Sequence, residues 1–150
     1  MRNKLYLKKL GAQELGYRKG KQTTGGYFYI SKNATSFFPE LSKSKLNDTV
    51  VLEFKVDYRN EPIFINLVYH NDKFCKLSGS RDEYRIYLNR DIAPDDYFFR
   101  PNDIIIFQRI EENKYSLERI REGNDNYNRL NKIIFESQLQ GNHALVENLN

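Results

Sequence analysis

The sequence predicts a mainly β protein, built as a barrel or a sandwich of seven strands. Apolar and polar residues alternate with a period of two in seven separate segments, and these segments are enriched in β-branched and aromatic residues. No regular helices separate them, which is typical of barrels and sandwiches rather than of α/β folds. Ten Phe and eleven Tyr in 150 residues suit a small β core in one domain.

The elements follow one another in a simple order. The predicted strands are LYLKKL (5–10), GYFYIS (26–31), VVLEFKVDY (50–58), FINLVYH (64–70), YRIYL (84–88), IIIFQRI (104–110) and YSLERI (115–120). Two short helices are predicted over 34–43 and 91–99. After residue 120 the chain is rich in Asn, and an apolar stripe at Leu130, Ile133, Ile134 and Leu139 predicts a C-terminal helix. We therefore expect a domain over 1–120, with a helix and a linker over 121–150.

The charge is unevenly distributed along the chain. Residues 1–24 hold seven Lys or Arg against one Glu, and residues 73–90 hold five against two acidic residues. Because the net charge of the whole chain is only +4, the rest of the chain is net negative. Two basic segments on an acidic remainder indicate a surface that binds a polyanion, although uneven charge on an ordinary surface is the alternative.

Several function classes find no support in the composition. No apolar stretch approaches the roughly 20 residues of a membrane span, and the first residues lack the apolar core of a signal peptide. The single cysteine, Cys75, fits a reducing compartment. We interpret the chain as cytoplasmic, with no membrane partner. His70 and His143 are the only histidines, so neither a zinc site nor a nucleophilic triad is supported, and we expect no cofactor or metal in this chain.

One pattern favours a small metal-dependent nuclease. Pro39-Glu40 followed by Glu53 and Lys55 matches the loose PD-(D/E)xK outline, in which carboxylates hold Mg²⁺ and a lysine helps to activate water. The outline is short, and Glu53 and Lys55 would share the outward face of an alternating strand, where such a pair is common. The nuclease therefore stays an alternative hypothesis.

Two segments carry more charge than a connection needs. Residues 11–26 form a long connection with five glycines and a basic RKGK core, which indicates a flexible arm, with a solvated loop as the alternative. Residues 79–85, GSRDEYR, would form a hairpin tip that needs only a glycine and a polar residue or two. A surface tip held by ion pairs is the alternative there. We call residues 11–26 arm 1 and residues 76–86 arm 2.

The ordered motifs resemble the N-terminal DNA-recognition domain of EcoRII-like type II restriction endonucleases, which has a B-three-like pseudobarrel fold. The motifs are KKL (8–10), GKQ (20–22), GYFYI (26–30), FFPEL (37–41), VVLEFKV (50–56), VYHN (68–71) and SRDEYRI (80–86). The resemblance implies a seven-stranded open barrel that grips duplex DNA in the major groove with arms 1 and 2. It also implies a target similar to CC(A/T)GG and a separate Mg²⁺-dependent nuclease domain after residue 120, outside this chain.

The resemblance assigns roles to residues in both arms. The residues expected to read bases are Arg81, Asp82, Glu83, Tyr84, Arg85, Lys21 and Gln22, and those expected to hold the DNA backbone are Lys8, Lys9, Arg18, Lys19, Tyr29, Lys73 and Lys76. Side-chain chemistry agrees, because an arginine can bind guanine O6 and N7 together and a glutamate can accept from cytosine N4. We expect the isolated domain to be a monomer that binds double-stranded DNA. A barrel that binds single-stranded DNA or RNA is a further alternative.

Overall fold

The computed structural model describes residues 4–18, 21–22, 26–137, 139 and 141–149, with residues 17–18 and 21–22 described by their backbone alone. The strands are β1 (Leu5–Lys9), β2 (Tyr17–Arg18), β3 (Lys21–Gln22), β4 (Tyr27–Ile30), β5 (Thr49–Lys55), β6 (Ile63–His70), β7 (Glu83–Tyr87), β8 (Ile104–Glu111), β9 (Lys114–Ile120) and β10 (His143–Val146). The helices are a 3-10 helix (Lys32–Phe37), α1 (Asp72–Cys75) and α2 (Tyr127–Phe135).

Eight of these strands form one sheet, which curls into an open half-barrel. Their order is β10-β1-β8-β9-β5-β6-β7-β4, while β2 and β3 form a separate small hairpin within arm 1. All pairs in the large sheet are antiparallel except β5 with β9. All seven predicted strands are present, and the count of seven is too low because β10 also pairs with β1.

The sheet separates two apolar clusters because its strands alternate. On the inner side of the curl, Tyr6, Phe28, Phe54 and Phe107 pack together, and their ring centroids lie 5.7 to 6.0 Å apart in the contacting pairs. On the other side, the alternate residues of β1 and β8 pack against α2. That second cluster consists of Leu5, Leu7, Ile104, Ile106, Ile120, Tyr127, Leu130, Ile134 and Ala144.

The helix predicted over 34–43 is shorter and begins earlier. The structure has a 3-10 helix over Lys32–Phe37, and the side chain of Ser31 caps its start by accepting from the backbone N–H of Asn33. Phe38 is already extended, at φ −109° and ψ 167°. It precedes Pro39, and a residue before proline is pushed away from helical angles.

The helix predicted over 91–99 is wrong in its position, because that segment is an irregular loop. Tyr97 has a φ of +64°, which no right-handed helix allows. Arg119 and Arg121 donate to the carbonyl oxygen of Phe98, so side chains at the end of β9 supply hydrogen bonds to the backbone of this loop. The second short helix lies instead at α1, four residues long, where the sequence shows no helical period.

The C-terminal residues belong to the sheet. The predicted helix is confirmed as α2, whose Leu130 and Ile134 are buried, while Leu139 lies beyond its end. The sequence analysis expected a linker after the helix, whereas the structure places β10 there, paired with β1. Among the described residues, none of the helices combines the length and apolar character required to cross a bilayer.

Candidate nucleic-acid interface

The outer surfaces of β4 and β7 form one face that carries both aromatic and charged side chains. Phe28 and Ile86 point into the core, so the alternate residues point outward. Tyr27 lies opposite Tyr87, and Tyr29 lies opposite Arg85. Glu83 begins β7 on the same side. We call this surface, defined by Tyr27, Tyr29, Glu83, Arg85 and Tyr87, the β4–β7 face.

Two arginines converge on one carboxylate at the β4–β7 face. Arg81 donates from Nε and Nη2 to Glu83 Oε1 over 3.1 and 3.0 Å, and Arg85 Nη2 donates to the same oxygen over 2.9 Å. The guanidinium of Arg85 also lies 4.0 Å from the ring centroid of Tyr27, a cation–π contact. The side chain of Arg81 is 41% exposed and that of Arg85 is 22% exposed. The two guanidinium groups are therefore held side by side while still reaching the surface.

Asp82 and Tyr84 point the other way, towards the inner side of the sheet. Asp82 accepts from the hydroxyl of Tyr69 over 2.7 Å and from Lys32 Nζ over 2.9 Å. Burial pushes the pKa of Asp82 upward, but these hydrogen bonds and the charge of Lys32 outweigh it and lower the pKa below its ordinary value. Tyr84 stacks on Tyr69 with centroids 4.1 Å apart. Neither side chain lies on the β4–β7 face, so the expectation that they read bases finds no geometric support.

A histidine on β6, His70, lies next to the arginine cluster on the same side of the sheet. His70 pairs with Glu83 across β6 and β7, and its Nε2 is 2.5 Å from the hydroxyl oxygen of Tyr87. Its Nδ1 is buried and has no hydrogen-bond partner among the described residues. Desolvation lowers the pKa of His70, and the positive charges of Arg81 and Arg85 lower it further. The neutral imidazole thus avoids adding a third positive charge to this cluster.

Arm 2 is a closed loop rather than a hairpin tip. The carboxylate of Asp72 accepts from the backbone N–H of Arg81 over 2.6 Å, and the N–H of Lys73 donates to the carbonyl of Arg81. Gly79 is required by close packing, because a Cβ there would lie 2.1 Å from the carbonyl oxygen of Asp72. Residues 76–82 therefore lead from α1 into β7, with Lys73 exposed on α1 and Lys76 exposed on this loop.

The base of arm 1 is tied to β4 by Glu14. Its carboxylate accepts from the backbone N–H groups of Gly11 and Tyr29, both over 2.7 Å, and its carbonyl accepts from the N–H of Tyr27. Leu15 is fully buried in the core beside it. Arm 1 therefore starts from a fixed point at the edge of the β4–β7 face.

Four of the predicted arm 1 residues are described by backbone alone or fall outside the described part. Arg18 lies in β2, and Lys21 and Gln22 lie in β3, with Arg18 paired to Lys21. Lys19 lies outside the described residues. Their assignments stay predictions.

Lys8 and Lys9 lie on opposite faces of β1, because side chains alternate along a strand. Lys8 is buried, forms a 3.0 Å ion pair with Glu14, and lies 5.8 Å from the ring centroid of Tyr29. Lys9 Nζ donates to the side chain of Asn131 on α2. Their assignment as backbone contacts stays a prediction, with Lys8 at the base of arm 1 and Lys9 on the α2 side.

The structure adds residues that the sequence analysis missed. Tyr27, Tyr87 and His70 complete the arginine cluster, and Lys32 completes the Asp82 contact. Alternation along each strand could have placed Tyr27 and Tyr29 on one face, and Glu83, Arg85 and Tyr87 on another. No local signal indicates that β4 pairs with β7, which is what joins the two sets.

The residues of the nuclease outline do not come together. Glu40 lines a cleft with Phe37, Tyr84 and Arg109, whereas Glu53 and Lys55 line a different cleft at the β5–β6 turn. The three groups therefore share no common pocket, and the geometry favours the β4–β7 face over this outline as the functional site.

The fold and the face together define an open half-barrel domain with an aromatic and charged outer surface. Among solved structures, the chain is similar to the N-terminal domain of Helicobacter pylori LlaJI.R1, with a TM-score of 0.57 and 20% identity. The match covers 95% of this chain and 97% of that chain, so the two share the whole fold. No family model matches this chain, and no curated protein matches it in sequence.

Proposed function

We propose that this chain is the DNA-recognition domain of a restriction enzyme and that it binds duplex DNA through the β4–β7 face and the two arms. Its fold is shared with the N-terminal domain of a restriction enzyme, LlaJI.R1. That likeness is compatible with DNA recognition, and the chemistry of this chain's own surface supports it.

The Arg81–Glu83–Arg85 cluster is the observation that carries the proposal. Arginine forks and a carboxylate supply donors for guanine and an acceptor for cytosine, which are the groups that distinguish adjacent C·G pairs in the major groove. The cluster is held by a ring contact and three hydrogen bonds, so little side-chain freedom is lost when it meets DNA. On a surface that binds only phosphate, a central carboxylate would repel the ligand, so its presence here favours base reading.

The finer assignments belong to the same proposal. We infer a type II enzyme of the EcoRII-like kind with a B-three-like recognition domain, a target similar to CC(A/T)GG, and a separate nuclease domain that binds Mg²⁺. The exposed Lys73 of α1 and Lys76 of arm 2, together with Arg18 and Lys19 of arm 1, would hold the phosphates, while Lys21 and Gln22 of arm 1 would read bases. The domain would act as a monomer on double-stranded DNA.

Selection from a randomised duplex pool, followed by sequencing, tests the proposal. We expect enrichment of one short sequence by the wild-type domain and weaker enrichment by Arg81→Ala and Arg85→Ala. Loss of all sequence preference in the wild type would contradict base reading. Absence of duplex binding at any salt concentration would overturn the proposal as a whole.

A salt titration separates the lysines that touch phosphate from those that do not. If the domain neutralises about five to eight phosphates, log K should fall with log salt at a slope of roughly −5 to −7. Lys73→Ala or Lys76→Ala should weaken all duplexes alike and reduce the slope by about one unit. Lys9→Ala is the matched control, because Lys9 lies on β1, distant from β7 in the strand order, and donates to Asn131 of α2.

A single-strand binding barrel is the second candidate, and the exposed aromatics of the β4–β7 face favour it. Tyr29 is 38% exposed on the strand beside Arg85, and bases stack on such platforms without sequence readout. Competition between one duplex and each of its separated strands decides between the two. Preference for the single strands that is lost in Tyr29→Ala would establish the second candidate instead of the first.

A further inference from the structure

Leu77 is the apolar residue that the structure exposes most completely, and it lies at the tip of arm 2. Its side chain is fully exposed; among the other exposed large apolar residues of the described chain, Phe135 is 89% exposed, while Leu46 and Ile110 are about half covered. A single exposed leucine on a surface needs no explanation by itself. Leu77 is informative because backbone contacts hold the loop around it in one conformation.

The tip that carries Leu77 is held in one shape by its own backbone. The N–H of Lys76 donates to the carbonyl of Asp72, and the N–H of Gly79 donates to the carbonyl of Lys76. Gly79 packs so closely on Asp72 that no other residue fits there. A leucine that could turn back onto the protein would bury apolar area, yet this loop fixes it outward.

The surroundings of Leu77 match DNA. Lys73 and Lys76, four residues and one residue before it in the chain, are both exposed, so this loop attracts a polyanion. The loop leaves the sheet at the end where His70 pairs with Glu83, next to Arg81. A group that the tip meets is therefore adjacent to the bases that Arg81 and Glu83 would read.

We propose that Leu77 reads the C5-methyl group of a pyrimidine in the major groove. This inference rests on the proposed function. In the major groove the apolar feature of a base edge is the methyl group of thymine, and an apolar side chain distinguishes it from hydrogen-bonding edges. A 5-methylcytosine presents the same methyl group at the same place, so both sources share one chemistry.

The test compares three versions of each duplex: with thymine, with uracil in place of thymine, and with 5-methylcytosine in place of cytosine. For one methyl contact we expect the wild type to bind the methyl-bearing version about fourfold more tightly. A loss of affinity when uracil replaces thymine identifies thymine as the source of the methyl group. A gain of affinity when cytosine is methylated identifies 5-methylcytosine as the source. Leu77→Ala should bind all three versions equally, while Ile110→Ala, an exposed apolar control on β8, should behave as the wild type does.

Each other outcome contradicts the inference in a distinct way. Equal wild-type affinity for all three versions removes the methyl contact but leaves the proposed function standing. A preference that persists in Leu77→Ala assigns the methyl contact to another residue. Equal weakening of all three versions by Leu77→Ala indicates insertion between base pairs or packing on sugar. Failure of the wild type to bind any duplex overturns the proposed function and this inference together.

Discussion

The guanidinium carbon of Arg85 lies 4.0 Å from the ring centroid of Tyr27, on the strand that pairs with its own. Tyr27 therefore supports one side of the guanidinium while Glu83 accepts from its Nη2. Under the proposed function, an arginine held in this way would be oriented before DNA binds, and its hydrogen bonds to a base would cost less side-chain entropy. The pair links β4, at the base of arm 1, to the residues of arm 2.

Replacing Arg85 by alanine should weaken binding to cognate DNA by about 1–3 kcal/mol and binding to random DNA by much less. The reason is that a bidentate arginine discriminates one base pair of the cognate site, whereas binding to random DNA benefits only from the positive charge of the arginine. Affinities for cognate, single-mismatch and random duplexes at fixed salt measure the difference. Arg59→Ala is the matched control, since Arg59 is ion-paired with Asp91 at the far end of β6. Equal losses on the three duplexes would make Arg85 a phosphate contact.

Replacing Glu83 by glutamine should strengthen binding to random DNA while reducing sequence preference. The change keeps the shape of the side chain but removes a negative charge near the phosphates, which is worth about 0.5–1 kcal/mol at a solvated surface. It also releases the two arginines from their shared ion pairs. The ratio of cognate to random affinity is the readout, with Glu61→Gln as an exposed control. An unchanged ratio would show that Glu83 only holds the arginines.

Replacing Asp82 by asparagine should lower the free energy of unfolding by about 1.5–3 kcal/mol, because a charged acceptor of two hydrogen bonds is lost from a mostly buried site. Urea unfolding followed by circular dichroism measures the change. Asp96→Asn, which removes an exposed ion pair with Arg90, should cost less than about 1 kcal/mol. A changed base preference at unchanged stability would instead return Asp82 to the set of base-reading residues.

The stability of the domain should fall as the pH drops below about 6.5, partly through His70. Because the pKa of His70 is lowered in the folded state, the unfolded chain binds the proton first. The contribution of His70 is therefore complete above the unfolded pKa and is lost as the pH falls towards the folded pKa. Protonation would also put a positive charge beside Arg81 and Arg85, with Glu83 and Asp72 compensating only in part.

Thermal unfolding between pH 7.5 and pH 5.5 measures this effect, with His70→Gln as the comparison. We expect the Tm of the wild type to fall more steeply than that of the variant, so that the two curves approach each other at the acidic end. Parallel curves across this range would assign the acid sensitivity to other groups.

The strands were predictable from the sequence because alternation is a local signal. All seven predicted strands lie in the sheet, and the stripe at Leu130 and Ile134 gave α2. The strand His143–Val146 was missed because four residues show too little alternation, and only pairing with β1 makes them a strand. The segment 91–99 was wrongly predicted as a helix. Its loop conformation is stabilised by Arg119 and Arg121, which are distant in sequence and give no local signal.

The candidate site was predictable in part for the same reason. Alternation puts Arg81, Glu83 and Arg85 on one side of the chain and Asp82 and Tyr84 on the other, and the charged stretch was identified without that distinction. The contact of Arg85 with Tyr27 spans 58 positions and depends on the pairing of β4 with β7. The placement of Lys8 and Lys9 on opposite faces follows from the strand period. The ion pair of Lys8 with Glu14 does not follow from it.

The contacts of Glu14 also affect the edge of the sheet at β4. β4 ends the sheet, and its outward N–H groups at Tyr27 and Tyr29 are the donors that a strand of another molecule would use. Glu14 accepts from both, through its carbonyl and its carboxylate. One residue at the base of arm 1 thus occupies the backbone donors that a neighbouring strand would otherwise take at this edge of the sheet.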